Sequence, residues 1–116
     1  MQKATLILQD PPYGTERAFN ALRYASALLA EDIQVKVFLL GDAVAVAKKE
    51  QKTPTGYYNL GRMLADLTAK GAEVLACGSC SEARGLREED LLAGVRIGRM
   101  TQLARWSKQS ETVLVF

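Results

Sequence analysis

The sequence predicts a three-layer α/β sandwich, with about five mostly parallel strands in one sheet between layers of helices. Short apolar runs of strand length alternate along the chain with stretches whose apolar residues recur at helical spacing, and this alternation is typical of right-handed parallel crossovers. The chain has 116 residues, enough for one hydrophobic core and too few for two, so we expect residues 1–116 to form a single domain. We expect the flavodoxin-like strand order 2-1-3-4-5.

The first half of the chain supplies two of the strands and one long helix. Residues 4–9 form a near-continuous apolar run, as in a strand covered on both faces, and two prolines then end the pairing. Residues 16–30 carry apolar side chains at helical spacing and predict an amphipathic helix. Residues 34–40 predict a second strand, which runs into Gly41 and Asp42 and a short helical turn.

The second half begins with a polar, lysine-rich stretch over residues 48–58, which we expect to be an exposed loop. Regular elements then alternate to the end of the chain. In order, they are a helix from Leu60 to about Lys70, a strand over 74–76, a helical turn over 88–92, a very short strand over 95–97, a helix over 99–108 and a closing strand over 112–116.

Charge and hydropathy exclude several kinds of partner. A formal net charge of +2 is too small to indicate binding to nucleic acid or to an anionic membrane. The apolar runs are well short of the ~20 residues that a membrane span needs, and the N-terminus has no signal-peptide pattern. Neither the first nor the third strand is followed by a nucleotide-binding glycine motif. We therefore expect a cytoplasmic protein that binds neither membrane nor nucleic acid.

The chain contains two cysteines and no histidine, which limits its chemistry further. A structural disulfide is not expected in a reducing compartment, and a Cys-His pair cannot form within one chain. A zinc site needs roughly four nitrogen or sulfur ligands, whereas this chain offers two thiols, so we expect no metal unless two subunits share it. An activated thiolate must therefore depend on other groups.

Both cysteines lie just after the 74–76 strand. Ser79 and Glu82 have the spacing of a capping box, which predicts a short helix with Cys80 as its first residue and Gly85 at its end. Cys77 then lies in the turn before the helix. A thiolate is favoured by a helix N-terminus or a nearby cation, so this position and Arg84 favour Cys80 as the more reactive thiol.

The expected strand order also predicts the neighbours of the thiols. In that order the first and third strands are adjacent, and a crevice opens above their carboxyl ends. The loop after the first strand would then bring Tyr13 and Thr15 towards Cys77. Asp42, which follows the second strand, is expected farther along the same edge.

The segment C-G-S-C-S-E-A-R-G after an apolar strand resembles the DsrE/DsrF-like sulfur-relay family, in particular its small YchN-type members with a C-x-x-C at this point. Three further stretches match that family in order and extend the resemblance to nearly the whole chain: residues 4–8 followed by Pro12-Tyr13-Gly14-Thr15-Glu16, residues 38–44, and residues 103–106 continuing through Val113 to Phe116.

The resemblance implies a function and a site. It implies that Cys77 accepts a sulfur atom from a donor's persulfide and passes it to an acceptor protein, without an organic cofactor. Cys80 would assist transfer or attack the persulfide. The residues expected to bind the substrate around these thiols are Tyr13, Thr15, Asp42, Ser79 and Arg84. The resemblance also implies a homo-oligomer, a trimer or a hexamer, with the cysteine near subunit contacts.

Three hypotheses remain open from the sequence. The protein is a sulfur carrier of the sulfurtransferase type, or a dithiol redox protein in which Cys77 and Cys80 cycle between thiols and a disulfide. Alternatively, it is an oligomeric binding or structural protein whose cysteines are small buried hydrophobic residues.

Overall fold

The computed structural model describes residues 1–116 and has one five-stranded sheet in which every neighbouring pair of strands is parallel. The strands are β1 (Lys3–Leu8), β2 (Gln34–Leu39), β3 (Glu73–Cys77), β4 (Val95–Gly98) and β5 (Thr112–Val115). The helices are α1 (Arg17–Ala30), α2 (Leu60–Ala69), α3 (Gly78–Ala83) and α4 (Met100–Gln109), with 3-10 segments at Gly41–Ala47 and Glu88–Asp90.

The three-layer α/β class is confirmed, but the strand order is β4-β3-β2-β1-β5. The order 2-1-3-4-5 placed β1 beside β3, whereas β2 lies between these two strands and pairs with both. The physical reason is that each of the first three crossovers joins adjacent strands and continues in one direction. The chain turns back only at its last crossover, which carries β5 past three strands to the free side of β1.

This order distributes the helices unequally between the two faces of the sheet. Right-handed crossovers from β1 through β4 put α1, α2 and α3 on one face, and α1 contacts α2 there. The reversed crossover from β4 to β5 puts α4 on the opposite face. Trp106 of α4 packs edge-on against Phe38 of β2, with ring centroids 6.1 Å apart.

The core is a single cluster of 26 buried hydrophobic residues, which joins the strands to the helices on both faces. β2 is buried along almost its whole length because strands flank it on both sides and helices cover both faces. β5 is at the sheet edge and leaves Val113 and Val115 exposed. None of the helices combines the length and the apolar character required to span a bilayer.

One charged side chain lies inside this framework. Lys36 of β2 is only 8% exposed, and its ammonium donates a hydrogen bond of 2.9 Å to Glu73 of β3. The same ammonium lies 5.0 Å from the centroid of the Trp106 ring. A buried lysine needs such a partner, and here the ion pair and the aromatic ring together hold β2, β3 and α4 in place.

Candidate functional site

The two cysteines lie where β3 ends and α3 begins. β3 ends at Cys77, and α3 starts at the next residue, Gly78. The sulfur of Cys77 caps this helix by accepting a hydrogen bond of 3.5 Å from the backbone N–H of Cys80. The predicted helix start at Cys80, with Ser79 as its cap, is therefore wrong. A thiolate or thiol sulfur one residue before the helix accepts the N–H that a serine oxygen would otherwise accept.

Glycine allows this segment to pack closely against the neighbouring strand. A Cβ atom on Gly78 would lie 3.1 Å from Cγ2 of Ile97 in β4, closer than side chains normally approach. Gly98, which is in register with Cys77, faces Leu75 in the same way, with a Cβ placed 2.8 Å from the Leu75 Cβ. The thiols thus start from a tightly packed corner between β3 and β4.

The two sulfur atoms are in direct contact. Cys80 Sγ lies 2.7 Å from Cys77 Sγ, with the Cys80 thiol as donor, and both cysteines are free. The hydroxyl of Ser79 lies 3.5 Å from Cys77 Sγ. Cys77 is 8% exposed, and Cys80 is half-buried. Three polar hydrogens of α3 therefore converge on one sulfur atom, that of Cys77.

These contacts separate the acidities of the two thiols. Burial is the largest single influence on Cys77 and by itself raises the pKa. The hydrogen bonds from Cys80 and Ser79 together outweigh burial, so the pKa of Cys77 lies below its ordinary value. For Cys80, burial, the hydrogen bond to Cys77 and the charge of Cys77 all raise the pKa. The pair therefore shares one proton, which Cys80 holds.

The end of β2 supplies the remaining groups of the site. Arg84, which follows α3, donates to Asp42 Oδ1 through Nε at 3.1 Å and through Nη2 at 2.9 Å. A third hydrogen bond of 3.0 Å runs from Arg84 Nη1 to the backbone carbonyl of Cys80. Asp42, expected farther along the sheet edge, is instead tied to the thiol segment. The reason is that β2, not β1, is the neighbour of β3.

The backbone amide of Gly41 is a part of the site that the sequence did not indicate. It favours the thiolate form of Cys80, as does the positive charge of Arg84, although neither overcomes the groups that raise the pKa of this thiol. Gly41 has φ of +54°, a conformation that glycine adopts without strain. A glycine immediately after a buried strand, next to Asp42, was the available signal. Only the correct strand order shows that it faces Cys80.

Tyr13 and Thr15 have partners away from the thiols. The Tyr13 hydroxyl donates to Gln51 and accepts the N–H of Leu60 at 3.2 Å. The Thr15 hydroxyl donates to Asp10 at 2.6 Å and accepts the N–H of Arg17. Their expected approach to Cys77 depended on adjacent β1 and β3 strands, and β2 separates these strands. A role for either side chain in binding stays a prediction.

The ring of Tyr13 is part of an aromatic cluster over the loop that precedes α2. Its centroid lies 6.1 Å from those of Tyr57 and Tyr58, and Tyr58 stacks on Phe19 at 4.2 Å. The side-chain amide of Gln51 donates to the Val46 carbonyl at 2.8 Å and fixes the start of the loop. Tyr13 therefore holds this loop against α1 and α2.

The ligating side chains form no metal-binding group. Nowhere in the chain do three or more histidine, cysteine, aspartate or glutamate side chains come together in a way that could hold a metal ion. The chemistry that the site itself offers is that of two thiols, one hydroxyl, a guanidinium and backbone amides.

Comparison with known proteins adds the family context. The model of the DsrE/DsrF-like family matches residues 2–116. An uncharacterized protein of Methanopyrus kandleri is 45% identical over 112 residues, which cover 97% of this chain and 92% of that protein. Protein YchN of Escherichia coli is 38% identical over 118 residues and is matched over the full length of both proteins.

Solved structures agree with this result. The crystal structure of the E. coli YchN protein superposes with a TM-score of 0.94 and covers 100% of both chains. A protein of unknown function from Methanobacterium thermoautotrophicum is 16% identical and gives a TM-score of 0.81, with 98% of this chain and 99% of that chain covered. At that identity the second match supports the fold alone.

Proposed function

The chain belongs to the DsrE/DsrF-like family, and from this premise we propose that it is a small cytoplasmic sulfur carrier that accepts a persulfide sulfur on Cys77. The observation that carries the proposal is the convergence of hydrogen bonds on one sulfur atom. The Cys80 thiol, the Cys80 N–H and the Ser79 hydroxyl all point to Cys77 Sγ. The thiolate is the nucleophile in sulfur transfer, and these donors stabilise it.

In the proposed reaction, the Cys77 thiolate attacks the outer sulfur of a donor persulfide, R–S–SH. A bond forms between Cys77 Sγ and that sulfur, and the S–S bond of the donor breaks. The donor leaves as the thiolate R–S⁻, and the chain carries Cys77–S–SH with the proton that was on the transferred sulfur. An acceptor thiolate later attacks the same outer sulfur, which regenerates the Cys77 thiolate. The overall oxidation state of the sulfur atoms is unchanged.

The groups around the thiols have separate proposed roles. Ser79 and Cys80 stabilise the leaving thiolate of Cys77 when the sulfur departs, since both contact that sulfur atom. Arg84 and Asp42 hold α3 against the end of β2 and offer charge to a polar substrate group. Tyr13 and Thr15 belong to the same proposed substrate surface only through the loop they brace.

We also propose that the chain acts as a homo-oligomer, a trimer or a hexamer, and exchanges sulfur with donor and acceptor proteins. The family resemblance supports this. Cys77 is nearly buried, so a donor persulfide has to be brought to it by a docked surface. A protein donor meets that requirement more readily than a free small molecule.

The direct test is the intact mass of three proteins after incubation with a cysteine desulfurase and cysteine, each with and without later reduction. Cys80→Ser is expected to gain the mass of one sulfur atom and to lose it on reduction. Cys77→Ser is expected to gain nothing. Samples alkylated beforehand are the control, since blocked thiols cannot accept sulfur. Uptake by Cys77→Ser, or by neither variant, would contradict the assignment.

A second candidate function is that of a dithiol redox protein, and the 2.7 Å contact between the sulfur atoms is the observation that favours it. Two thiols in contact need little movement to form a disulfide. In the same experiment this function predicts the loss of two hydrogens without a sulfur donor, at the expense of a disulfide substrate. If neither thiol reacts until the chain unfolds, a non-catalytic binding or structural protein becomes the better account.

A further inference from the structure

A sulfur carrier requires one thiol, yet this site has two in contact. The second thiol is not a distant spare, since Cys80 Sγ lies 2.7 Å from the sulfur atom proposed to carry the cargo. It also follows Cys77 by one turn of the helix that Cys77 caps, so its position is fixed by the backbone. The contact makes Cys80 the nearest nucleophile to any persulfide formed on Cys77.

We propose that Cys80 resolves the Cys77 persulfide, so that the protein releases hydrogen sulfide and closes a Cys77–Cys80 disulfide whenever no acceptor takes the sulfur first. The inference rests on the proposed persulfide at Cys77 and adds a second outcome for it. The substrate class of this further activity is a sulfane sulfur, and its product is sulfide.

The geometry determines which sulfur atom Cys80 attacks. An acceptor from outside reaches the outer, terminal sulfur of Cys77–S–SH, whereas Cys80 contacts the inner sulfur, Cys77 Sγ. Attack on the inner sulfur expels the terminal one instead of transferring it. The same two cysteines therefore separate two reactions by the sulfur atom attacked.

Nearby groups support an anionic Cys80 once Cys77 is no longer a thiolate. In the unloaded site, the hydrogen bond to Cys77 and the negative charge of Cys77 keep the proton on Cys80. Sulfur transfer converts Cys77 Sγ to a neutral, doubly bonded-to sulfur, so the charge beside Cys80 moves outward by one atom. The Gly41 amide and the Arg84 cation, which favour the Cys80 thiolate, remain in place.

The step balances without a further reactant. Cys80–S⁻ and Cys77–S–SH give Cys77–S–S–Cys80 and HS⁻. One S–S bond forms between the two cysteines, and the bond between Cys77 and its terminal sulfur breaks with its electron pair on the departing sulfur. The sulfane sulfur is reduced to sulfide, and the two cysteines are oxidised to a disulfide. A dithiol or thiol reductant then has to restore the thiols before another cycle.

Glutathione persulfide provides a test with a defined probe. Reduced, desalted protein is mixed anaerobically with one equivalent of the probe, and free sulfide and the non-reduced intact mass are followed together. Wild type is expected to release about one sulfide per chain while losing the mass of two hydrogens, as the balanced step requires. Cys80→Ser is expected to keep one extra sulfur atom and to release no sulfide beyond the blank. Cys77→Ser serves as that blank for spontaneous decay of the probe.

The outcomes separate this inference from the proposed function. If wild type and Cys80→Ser both hold the extra sulfur equally long, the resolving role of Cys80 is overturned, while the carrier function stands. If Cys80→Ser never gains sulfur, both fail. If Cys77→Ser takes up the sulfur, the roles of the two cysteines are reversed. Should Cys80→Ser fail to fold, the one-to-one ratio of sulfide to disulfide in wild type decides the question, and disulfide without sulfide counts against the proposal.

Discussion

At the scale of single residues, the account depends on one sulfur atom that ends a strand and caps a helix. Cys77 accepts hydrogen bonds from its neighbours three residues away and two residues away. The sequence pattern placed the cap at Ser79, because serine is the commoner N-cap residue and its spacing to Glu82 suits a capping box. Propensity cannot show that β3 continues to Cys77, which leaves the sulfur to cap the helix in place of the serine.

The first prediction concerns the acidity of Cys77. Cys80→Ser keeps a hydroxyl donor where the thiol donor was, whereas Cys80→Ala removes the donor. A lost donor destabilises the thiolate, so the pKa of Cys77 should be higher in Cys80→Ala than in Cys80→Ser. The measurement is the rate of iodoacetamide alkylation against pH, whose midpoint should lie below the ordinary cysteine value in Cys80→Ser. Identical midpoints would show that the contact between the cysteines does not tune Cys77.

At the scale of elements, the site is a junction between the carboxyl end of β2 and the helix α3. Arg84 and Asp42 join the two elements through two hydrogen bonds to one carboxylate oxygen. Asp42 is 63% exposed, so the ion pair is expected to contribute at most about 1 kcal/mol to stability. Its larger effect is to fix where the positive charge stands beside Cys80.

The second prediction follows from that position and is made in a Cys77→Ser background, in which Cys80 is the only thiol. Arg84→Met removes the cation that favours the Cys80 thiolate, so the pKa of Cys80 should rise. Asp42→Asn removes the carboxylate that neutralises this cation, so the pKa should fall. Alkylation rates across pH measure both. Shifts of the same sign in the two variants would contradict the electrostatic role.

The third prediction concerns α4, the helix on the other face of the sheet. Trp106 is 8% exposed and packs on Phe38 and beside Lys36, so Trp106→Ala should reduce the free energy of unfolding by about 3–5 kcal/mol. Met100 lies on the same helix and is 59% exposed, so Met100→Ala should change it by about 0.5 kcal/mol or less. Urea denaturation compares the two. Equal losses would mean that α4 is not held by its buried face.

The elements themselves could be predicted because each carries its own local pattern. The strand predicted over 34–40 is observed at Gln34–Leu39, and the helix predicted over 16–30 is observed at Arg17–Ala30. Apolar periodicity and the glycine and proline stops act within a few residues, so sequence alone reveals them. The order of the strands is different, because it depends on pairing between segments far apart in the chain.

At the scale of the whole molecule, strand order decides which loops meet. β1, β2 and β3 are all short and apolar, so no local pattern distinguishes which of them lies in the middle. With β2 in the middle, Gly41 and Asp42 become the neighbours of the thiols, and Tyr13 joins a separate aromatic cluster. The fold class and the two cysteines could thus be predicted, whereas the groups around the cysteines could not.

The fourth prediction is made for the assembled protein. If the chain forms a trimer or a hexamer, sedimentation equilibrium should give three or six times the chain mass of 12.7 kDa. The value should persist on dilution to the nanomolar range if the assembly is obligate. A mass of one chain at every concentration would contradict the oligomer and leave the single chain as the carrier.

The measurement that tests the central claim most directly is the location of the sulfur atom in the unsubstituted protein. After brief exposure to a cysteine desulfurase and cysteine, excess alkylating reagent stops the reaction, and trypsin releases the peptide between Lys70 and Arg84, which contains both cysteines. Fragmentation of this peptide is predicted to place the extra sulfur on Cys77, with Cys80 alkylated directly. An extra sulfur on Cys80, or none while the desulfurase itself carries one, would contradict the account.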